Sequence, residues 1–331
     1  MVVPVLLFLL GLLLLIKGGD WFVDGATGIA RRFHIPEIIV GATVVSIGTT
    51  LPEVMVSATS AVTGHGEIAY GNAIGSVVCN TALVSALTIA ILPGTVDRKS
   101  FRTPVIFFFT AAAFYILNAY LFGGFARWSG IVLLLIFAVY MVLTIRQGLS
   151  EARNDTLSEE DGKEIKKTIE PVRARPLWLD LFLLIAGAAL IAVGAKLLVD
   201  NGTKIATSLG VPESVIALTF VALGTSLPEL VTAITSLAKG HSALSLGNVI
   251  GANLFNLVLV SGTAITLSPF DLPPEKVLAG MNASLVVDVP VMLAVMLLLT
   301  VPALVSGKMR RWQGIVLLTV YTAFCVFQFV G

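Results

Sequence analysis

The chain contains one unit twice. A shift of 176 positions carries Gly11 onto Gly187, Asp24 onto Asp200 and Gly64-His65 onto Gly240-His241. It also carries Ile35-Pro36-Glu37 onto Val211-Pro212-Glu213 and Gly48-Thr49-Thr50-Leu51-Pro52-Glu53 onto Gly224-Thr225-Ser226-Leu227-Pro228-Glu229. Gly71-Asn72-Ala73-Ile74-Gly75-Ser76 falls on Gly247-Asn248-Val249-Ile250-Gly251-Ala252, and the register holds without a gap to Ile89 and Ile265. Chance similarity does not keep register that long. Any fold for this chain must build two copies of the same unit.

Composition decides the solvent of that unit. Of 331 residues, 56% are hydrophobic and only 12% charged, and mean hydropathy is +0.96. A soluble domain carries roughly a quarter charged residues, so this chain lacks the polar surface to stay in water and belongs in a bilayer. Apolar stretches predict an all-α membrane protein of ten transmembrane helices, over 3–30, 37–63, 68–92, 103–124, 128–146, 177–207, 213–238, 243–268, 282–305 and 310–330. Met1 to Ile16 lacks a basic leading segment and a small-residue cleavage pattern, and is expected to remain as the start of the first helix. Residues 147–176 hold seven acidic and six basic side chains and form a solvated linker. The chain thus divides into an N-terminal repeat (1–146), a charged linker (147–176) and a C-terminal repeat (177–331). Five helices is an odd number, so the second repeat enters the membrane inverted, as in secondary transporters.

Lys and Arg set the orientation. With the N-terminus outside, all but five of the 21 basic residues fall on the cytoplasmic side. The exceptions are Arg127, Lys204 and Lys276 in external loops, and Lys17 and Lys196 within helices. Both termini are therefore expected outside a plasma membrane, with the linker in the cytoplasm. A net charge of +1 and no basic patch interleaved with aromatics exclude a nucleic-acid binder. Cys79 and Cys325 have no metal-ligand spacing and read as small buried apolar residues.

Glu53 and Glu229 fall near the middle of the second and seventh helices, where an unpaired ionisable group costs several kcal/mol, from about 3 upward. Pro52 and Pro228 remove an N–H and clash with the carbonyls of Gly48 and Gly224. They predict unwound backbone with free carbonyls around 46–49 and 222–225, tolerated at membrane depth only beside a cavity or ion site. Carbonyls next to carboxylates suit hard cations such as Ca²⁺ and Na⁺. Ser46, Thr49 and Glu53 share one helical face, as do Ala222, Thr225 and Glu229. Asn72, Ser76 and Asn80 form a stripe on the third helix, and Asn248, Ala252 and Asn256 repeat it on the eighth. Such stripes also glue membrane helices together, and for Asn72 and Asn248 both readings stand. Ser76, Asn80 and Asn256 point to the site. His65 and His241 have no ligand-spaced partner. Asp24 and Asp200 read as capping or interfacial, and Asp288 as lying near the outer interface.

At these residues the sequence resembles the cation/Ca²⁺ exchanger superfamily, and within it the prokaryotic Na⁺/Ca²⁺ exchangers. Its marks are the two motif regions, 41–83 and 217–258, each with Gly-Thr-x-Leu-Pro-Glu and Gly-Asn-x-Ile-Gly. The resemblance implies ten helices with the second, third, seventh and eighth as a core, across which the long first and sixth slide. It implies that Glu53 and Glu229 ligate Ca²⁺ together with the carbonyls of Thr49 and Thr225. Na⁺ would use those groups, the carbonyls of Ser46 and Ala222, the Ser76 hydroxyl, and the neighbourhood of Thr50 and Ser226. Asn80 and Asn256 would border the central position. Two departures stand out. Ala252 replaces a common Ser and removes a hydroxyl from one outer Na⁺ position, while Asn256, in place of Asp, fits a K⁺-independent type. The implied activity is secondary antiport of Na⁺ against Ca²⁺, three for one. It calls for no cofactor, no enzymatic chemistry and no obligate protein partner beyond lipid. A Ca²⁺/H⁺ antiporter on the same fold is the alternative. A passive channel and an intramembrane hydrolase fit less well, since the latter lacks paired Asp, Ser/Lys or Ser/His couples and a zinc motif.

Overall fold

A computed structural model describes residues 2–161, 175–208, 224, 226–273, 277–278 and 280–330. Helices dominate, and the main ones are α1 (Val2–Arg32), α2 (Glu37–Val62), α3 (Gly66–Ile91), α4 (Arg98–Phe122) and α5 (Arg127–Asp161). They continue with α6 (Leu177–Ser208), α7 (Leu227–Ala238), α8 (Ser242–Leu267), α9 (Ser284–Ser306) and α10 (Arg311–Val330). Among the described residues, eight helices are long and apolar enough to cross a membrane. Their outer faces carry exposed Leu, Ile and Val, and Trp128, Trp178 and Trp312 stand exposed at the starts of α5, α6 and α10. Aromatic residues favour that level, where bilayer meets water. The helix α5 runs on past 146 and takes the first part of the charged segment with it, as far as Asp161.

The turns sort into two groups. At one end, Val96 N–H donates to the Gly307 carbonyl at 2.9 Å and Met309 N–H to Gly94 at 2.8 Å. The same end gathers the α1–α2 and α7–α8 turns, because His241 Nδ1 lies 2.8 Å from Glu37 Oε1 and Lys239 Nζ 2.9 Å from Asp24 Oδ1. At the other end, Gly124–Phe125 pairs antiparallel with Phe270–Asp271, and Leu272 N–H donates to Gly123 at 3.0 Å. The basic residues Arg98, Lys239, Lys308, Arg310 and Arg311 all belong to the first end.

Glycine lets two of the longest helices pack backbone to backbone. Helices α1 and α6 run antiparallel, and a Cβ on Gly11 would sit 2.8 Å from the Gly194 carbonyl oxygen. The reverse distance is the same. One crossing further along, a Cβ on Gly18 would lie 2.9 Å from the Gly187 oxygen. The repeat shift exchanges these two pairs, so α1 and α6 meet through equivalent surfaces. Any larger side chain there would collide with backbone.

Among the described residues, four π-helical turns interrupt the helices, at Gly41–Val45, Asn80–Ser85, Asn256–Val260 and Ser284–Asp288. A π turn shifts the hydrogen-bond ladder and leaves carbonyls to be satisfied otherwise. Side chains do this here. The Tyr140 hydroxyl of α5 donates to Ala42 O at 2.8 Å, Ser46 Oγ to Gly41 O at 2.8 Å, and Ser261 Oγ to Asn256 O at 3.0 Å.

Candidate functional site

The π turn in α2 corrects one expectation. Unwound backbone was predicted at 46–49, but Ser46–Val62 is continuous helix with Pro52 inside it. The irregularity sits one turn earlier, in Gly41–Val45, where hydroxyls from Ser46 and Tyr140 absorb the displaced carbonyls. What Pro52 still does is withhold an N–H from the Gly48 carbonyl. In the second repeat the same motif is built differently. Ser226 is a non-helical cap (φ −91°, ψ 4°), and Pro228 stands in the first turn of α7, a position where its missing N–H is harmless. Ala222 and Thr225, both predicted site residues, lie outside the described residues.

The remaining predicted residues lie on four mutually packed helices, α2, α3, α7 and α8. Ser46, Thr49, Thr50 and Glu53 are buried on one side of α2, Ser76 and Asn80 on α3, Ser226 and Glu229 at the start of α7, and Asn256 on α8. Glu53 and Glu229 have no exposed surface at all. They are close enough to feel one another's charge, and Thr49 and Thr50 of α2 face Glu229. Among the described residues, none of the four carboxylate oxygens has a hydrogen-bond partner, and neither does the Thr50 or Ser226 hydroxyl. The same holds for both amide atoms of Asn80 and of Asn256. Buried polar atoms are nearly always partnered, so these ten atoms, four of them the carboxylate oxygens themselves, mark a place built to hold something other than protein. Over the two prolines lie α1 and α6: a small cavity is bounded by Phe22, Gly48, Thr49, Pro52, Ala188 and Pro228.

The two asparagines left open separate cleanly. Asn72 Nδ2 donates to the Glu53 carbonyl at 3.2 Å and to Ser57 Oγ at 2.8 Å, which ties α3 to α2. Asn248 works across the repeats. Its Oδ1 accepts from Thr49 Oγ1 at 3.2 Å and from Ser46 Oγ at 3.3 Å, while its Nδ2 is unpartnered. It therefore orients two hydroxyls of the candidate site.

Two buried residues were missed by sequence reasoning. Thr232 and Ser236 continue the Glu229 face of α7 and carry unpartnered hydroxyls. Repeat symmetry hid Thr232, whose equivalent is Val56, whereas Ser236 falls on Ser60 and forms a matched pair; spacing of three and seven from Glu229 was the available signal. Asp24 is interfacial: Lys239 bridges it and Asp20, at 2.9 and 3.4 Å. Asp200 pairs with Lys196 within α6 at 3.2 Å. Asp288 closes the π turn that opens α9 and accepts from Gln328 at 2.7 Å, away from the site. No group of three or more His, Cys, Asp or Glu that could hold a metal occurs among the described residues. Charge in the site therefore comes from the two glutamates.

Comparison with known proteins gives a consistent answer. The family model described as sodium/calcium exchanger protein matches residues 3–146 and 179–330. An uncharacterized membrane protein of Methanocaldococcus jannaschii is 36% identical over 95% of this chain and 94% of its own length. The sodium/calcium exchanger MaX1 of Methanosarcina acetivorans is 31% identical, with 98% of each chain covered. The solved structure of the sodium-calcium exchanger NCX_Mj, soaked with Na⁺ and Sr²⁺, superposes with a TM-score of 0.78 at 34% identity, covering 98% of both chains. The chain is a multi-pass membrane antiporter and belongs to the sodium/calcium exchanger family.

Proposed function

We propose that the protein carries Na⁺ inward and Ca²⁺ outward through one site shared by two inverted five-helix repeats, 1–146 and 177–331, joined by the cytoplasmic linker 147–176. In this reading all ten helices span the plasma membrane. The alternation of turns between the two ends supports it, as does the antiparallel, exchange-related packing of α1 and α6. The basic residues gathered at one end support a cytoplasmic position for that end, with both termini outside.

The observation that carries the function is the pair of fully buried, unpartnered glutamates, Glu53 and Glu229, surrounded by neutral oxygen donors. Two carboxylates balance one Ca²⁺. Carbonyls of Ser46, Thr49, Ala222 and Thr225, the Ser76 hydroxyl, and the Thr50 and Ser226 hydroxyls complete the oxygen shell that hard cations require. Asn80 and Asn256 bound the central position. Three Na⁺ on the same two charges leave the loaded carrier at +1. Each cycle then moves one net charge, worth about 2.3 kcal/mol per 100 mV, and membrane potential drives Ca²⁺ out.

The decisive experiment is ⁴⁵Ca²⁺ uptake into Na⁺-loaded proteoliposomes, comparing wild type with Glu53→Gln and Glu229→Gln. Wild type accumulates Ca²⁺ and both variants lose it; Na⁺-dependent uptake surviving in both would remove the site assignment. Buried carboxylates without a cationic side chain beside them are also suited to carry protons, so H⁺ is the second reading of the counter-ion. Uptake driven by a pH gradient in the absence of Na⁺ would select it. Reversal potentials inconsistent with three to one would overturn the stoichiometry.

A further inference from the structure

The candidate site is sealed differently toward the two ends of the molecule, and the repeat makes the comparison residue by residue. Three helices lead from the site toward the basic end, each along one face. On α3 the order is Asn80, Val84, Thr88; on α7 it is Glu229, Ala233, Leu237; on α8 it is Asn256, Val249, Ser245. Steps of four or seven residues, one or two turns, keep neighbours on one face of a helix. The middle members Val84, Ala233 and Val249 are fully buried and pack together, backed by Leu230. Beyond them lies a pocket of about 620 Å³, including the space open to solvent. Its wall includes Val249 itself, with Ser85, Thr88, Leu237 and Ser245, and it ends at the 94–97 turn. One layer of three small apolar side chains therefore separates a buried carboxylate from a pocket lined partly by hydroxyls.

The shift of 176 positions carries these elements to the opposite end, and the outcome differs. Val84, Ala233 and Val249 become Val260, Ser57 and Ala73. Thr88, Leu237 and Ser245 become Ala264, Ala61 and Ala69. Those three alanines pack into a closed cluster, with Phe270 against them. Gly66 is pressed onto the Phe270 ring, so not even a Cβ fits between. Among the described residues, one end has a pocket where the other has packed alanines and Phe270.

Resting on the transport reading above, we propose that the Val84–Ala233–Val249 layer is the cytoplasmic gate of the site. The pocket behind it is then the vestibule through which hydrated cations reach Glu229 and Asn80. A layer of apolar side chains can hold a passage closed by excluding water, and small movements open it. Thr232 and Ser236, buried and unpartnered on α7, offer oxygen to a cation losing its hydration as it passes.

The test is cysteine accessibility in a background with Cys79 and Cys325 replaced by alanine. Thr88→Cys and Ser245→Cys react with a membrane-impermeant cationic thiosulfonate in inside-out vesicles, and Ala61→Cys and Ala264→Cys do not. Modification lowers Ca²⁺ flux by about tenfold or more, as expected for a blocked passage. Reaction only from the external face, no reaction at either pocket residue, or modification without loss of flux would each overturn the proposal. A second variant guards against misfolding: Ala233→Leu enlarges the gate, and flux falls about tenfold while equilibrium ⁴⁵Ca²⁺ binding by purified protein stays within about twofold. An equal fall in binding would instead make Ala233 part of the site and remove the gate. Labelling reads the route and not the counter-ion. If Ca²⁺ flux proves H⁺-driven, the Na⁺ reading fails while the gate stands.

Discussion

The same six-residue motif lies in two different backbones. In the first repeat Pro52 is carried inside the unbroken helix Ser46–Val62, which follows the π turn Gly41–Val45. In the second, Pro228 occupies the first turn of a new helix, after the non-helical Ser226. Their neighbours diverge in the same way. Asn72 is spent on the Glu53 carbonyl and Ser57, whereas Asn248 reaches across to Ser46 and Thr49 and keeps a free N–H pair. Sequence symmetry thus produces two carboxylates in equivalent places but not two equivalent surroundings. An internal repeat lays down the scaffold, and single substitutions such as Val56 against Thr232 then give each half its own chemistry.

That comparison can be broken most directly at the glutamates. Glu53→Gln and Glu229→Gln should each lower Ca²⁺ affinity by about 100-fold, the equivalent of about 2.7 kcal/mol, measured by ⁴⁵Ca²⁺ binding. If only one does, the halves do not share the ion. Next in size is the glycine contact. Gly11→Leu and Gly187→Leu, one from each exchange-related pair, should cost about 1–3 kcal/mol each through overpacking against backbone. Thermal unfolding in detergent, with exchange rates alongside, would read this; a neutral result at either position would show that α1 and α6 do not pack symmetrically.

The asparagines should split by kind of effect. Asn72→Ala removes a tie between α2 and α3 and lowers stability by about 1 kcal/mol with ion affinity little changed. Asn248→Ala releases Thr49 and Ser46 and should raise the cation concentration for half-maximal exchange. Paired melting curves and flux titrations tell them apart, and identical profiles would sink the distinction. Smaller still is the Ser76/Ala252 asymmetry. Ser76→Ala should weaken apparent Na⁺ affinity several-fold, about 1 kcal/mol for one neutral ligand, and Ala252→Ser should strengthen it, as read from Na⁺-dependent Ca²⁺ release.

The least effect belongs to Asp97, at the basic end, where it caps α4. Its carboxylate accepts from Lys99 N–H at 3.2 Å, Ser100 N–H at 3.2 Å and Ser100 Oγ at 2.5 Å. Burial pushes its pKa up, but these hydrogen bonds, those from Ser100 foremost, outweigh it and hold the group below the usual carboxylate range. A depressed folded pKa means stability that is present above the unfolded value, near 4, and lost as pH falls through the folded one. Asp97→Ala should cost about 1 kcal/mol, and that cost should begin to shrink as pH falls below about 4 and vanish once pH is below the folded pKa. A pH-independent difference in melting temperature would exclude the cap as its source.

Helix positions were legible because a bilayer forces each span to be long, apolar and internally hydrogen-bonded. Glu53 and Glu229 were equally plain, since a repeated charge in an apolar run has no cheap structural excuse. Thr232 and Ser236 escaped because a hydroxyl in a membrane helix can always bond its own backbone, and only packing reveals which ones do not. Lys239 read as a loop charge, and its grip on Asp20 and Asp24 depends on α1 passing beside the α7–α8 turn.

By itself the sequence determined the solvent, the ten apolar segments, the doubled unit and the pair of glutamates, because hydropathy and register are properties of one dimension. Only the tertiary structure decided that Pro52 sits inside an unbroken helix, which asparagine binds which helix, and that, among the described residues, a pocket lies beyond the apolar layer toward one end while alanines and Phe270 pack toward the other. Those outcomes turn on contacts between residues up to about 200 positions apart. No local pattern encodes them; the packing of four helices does.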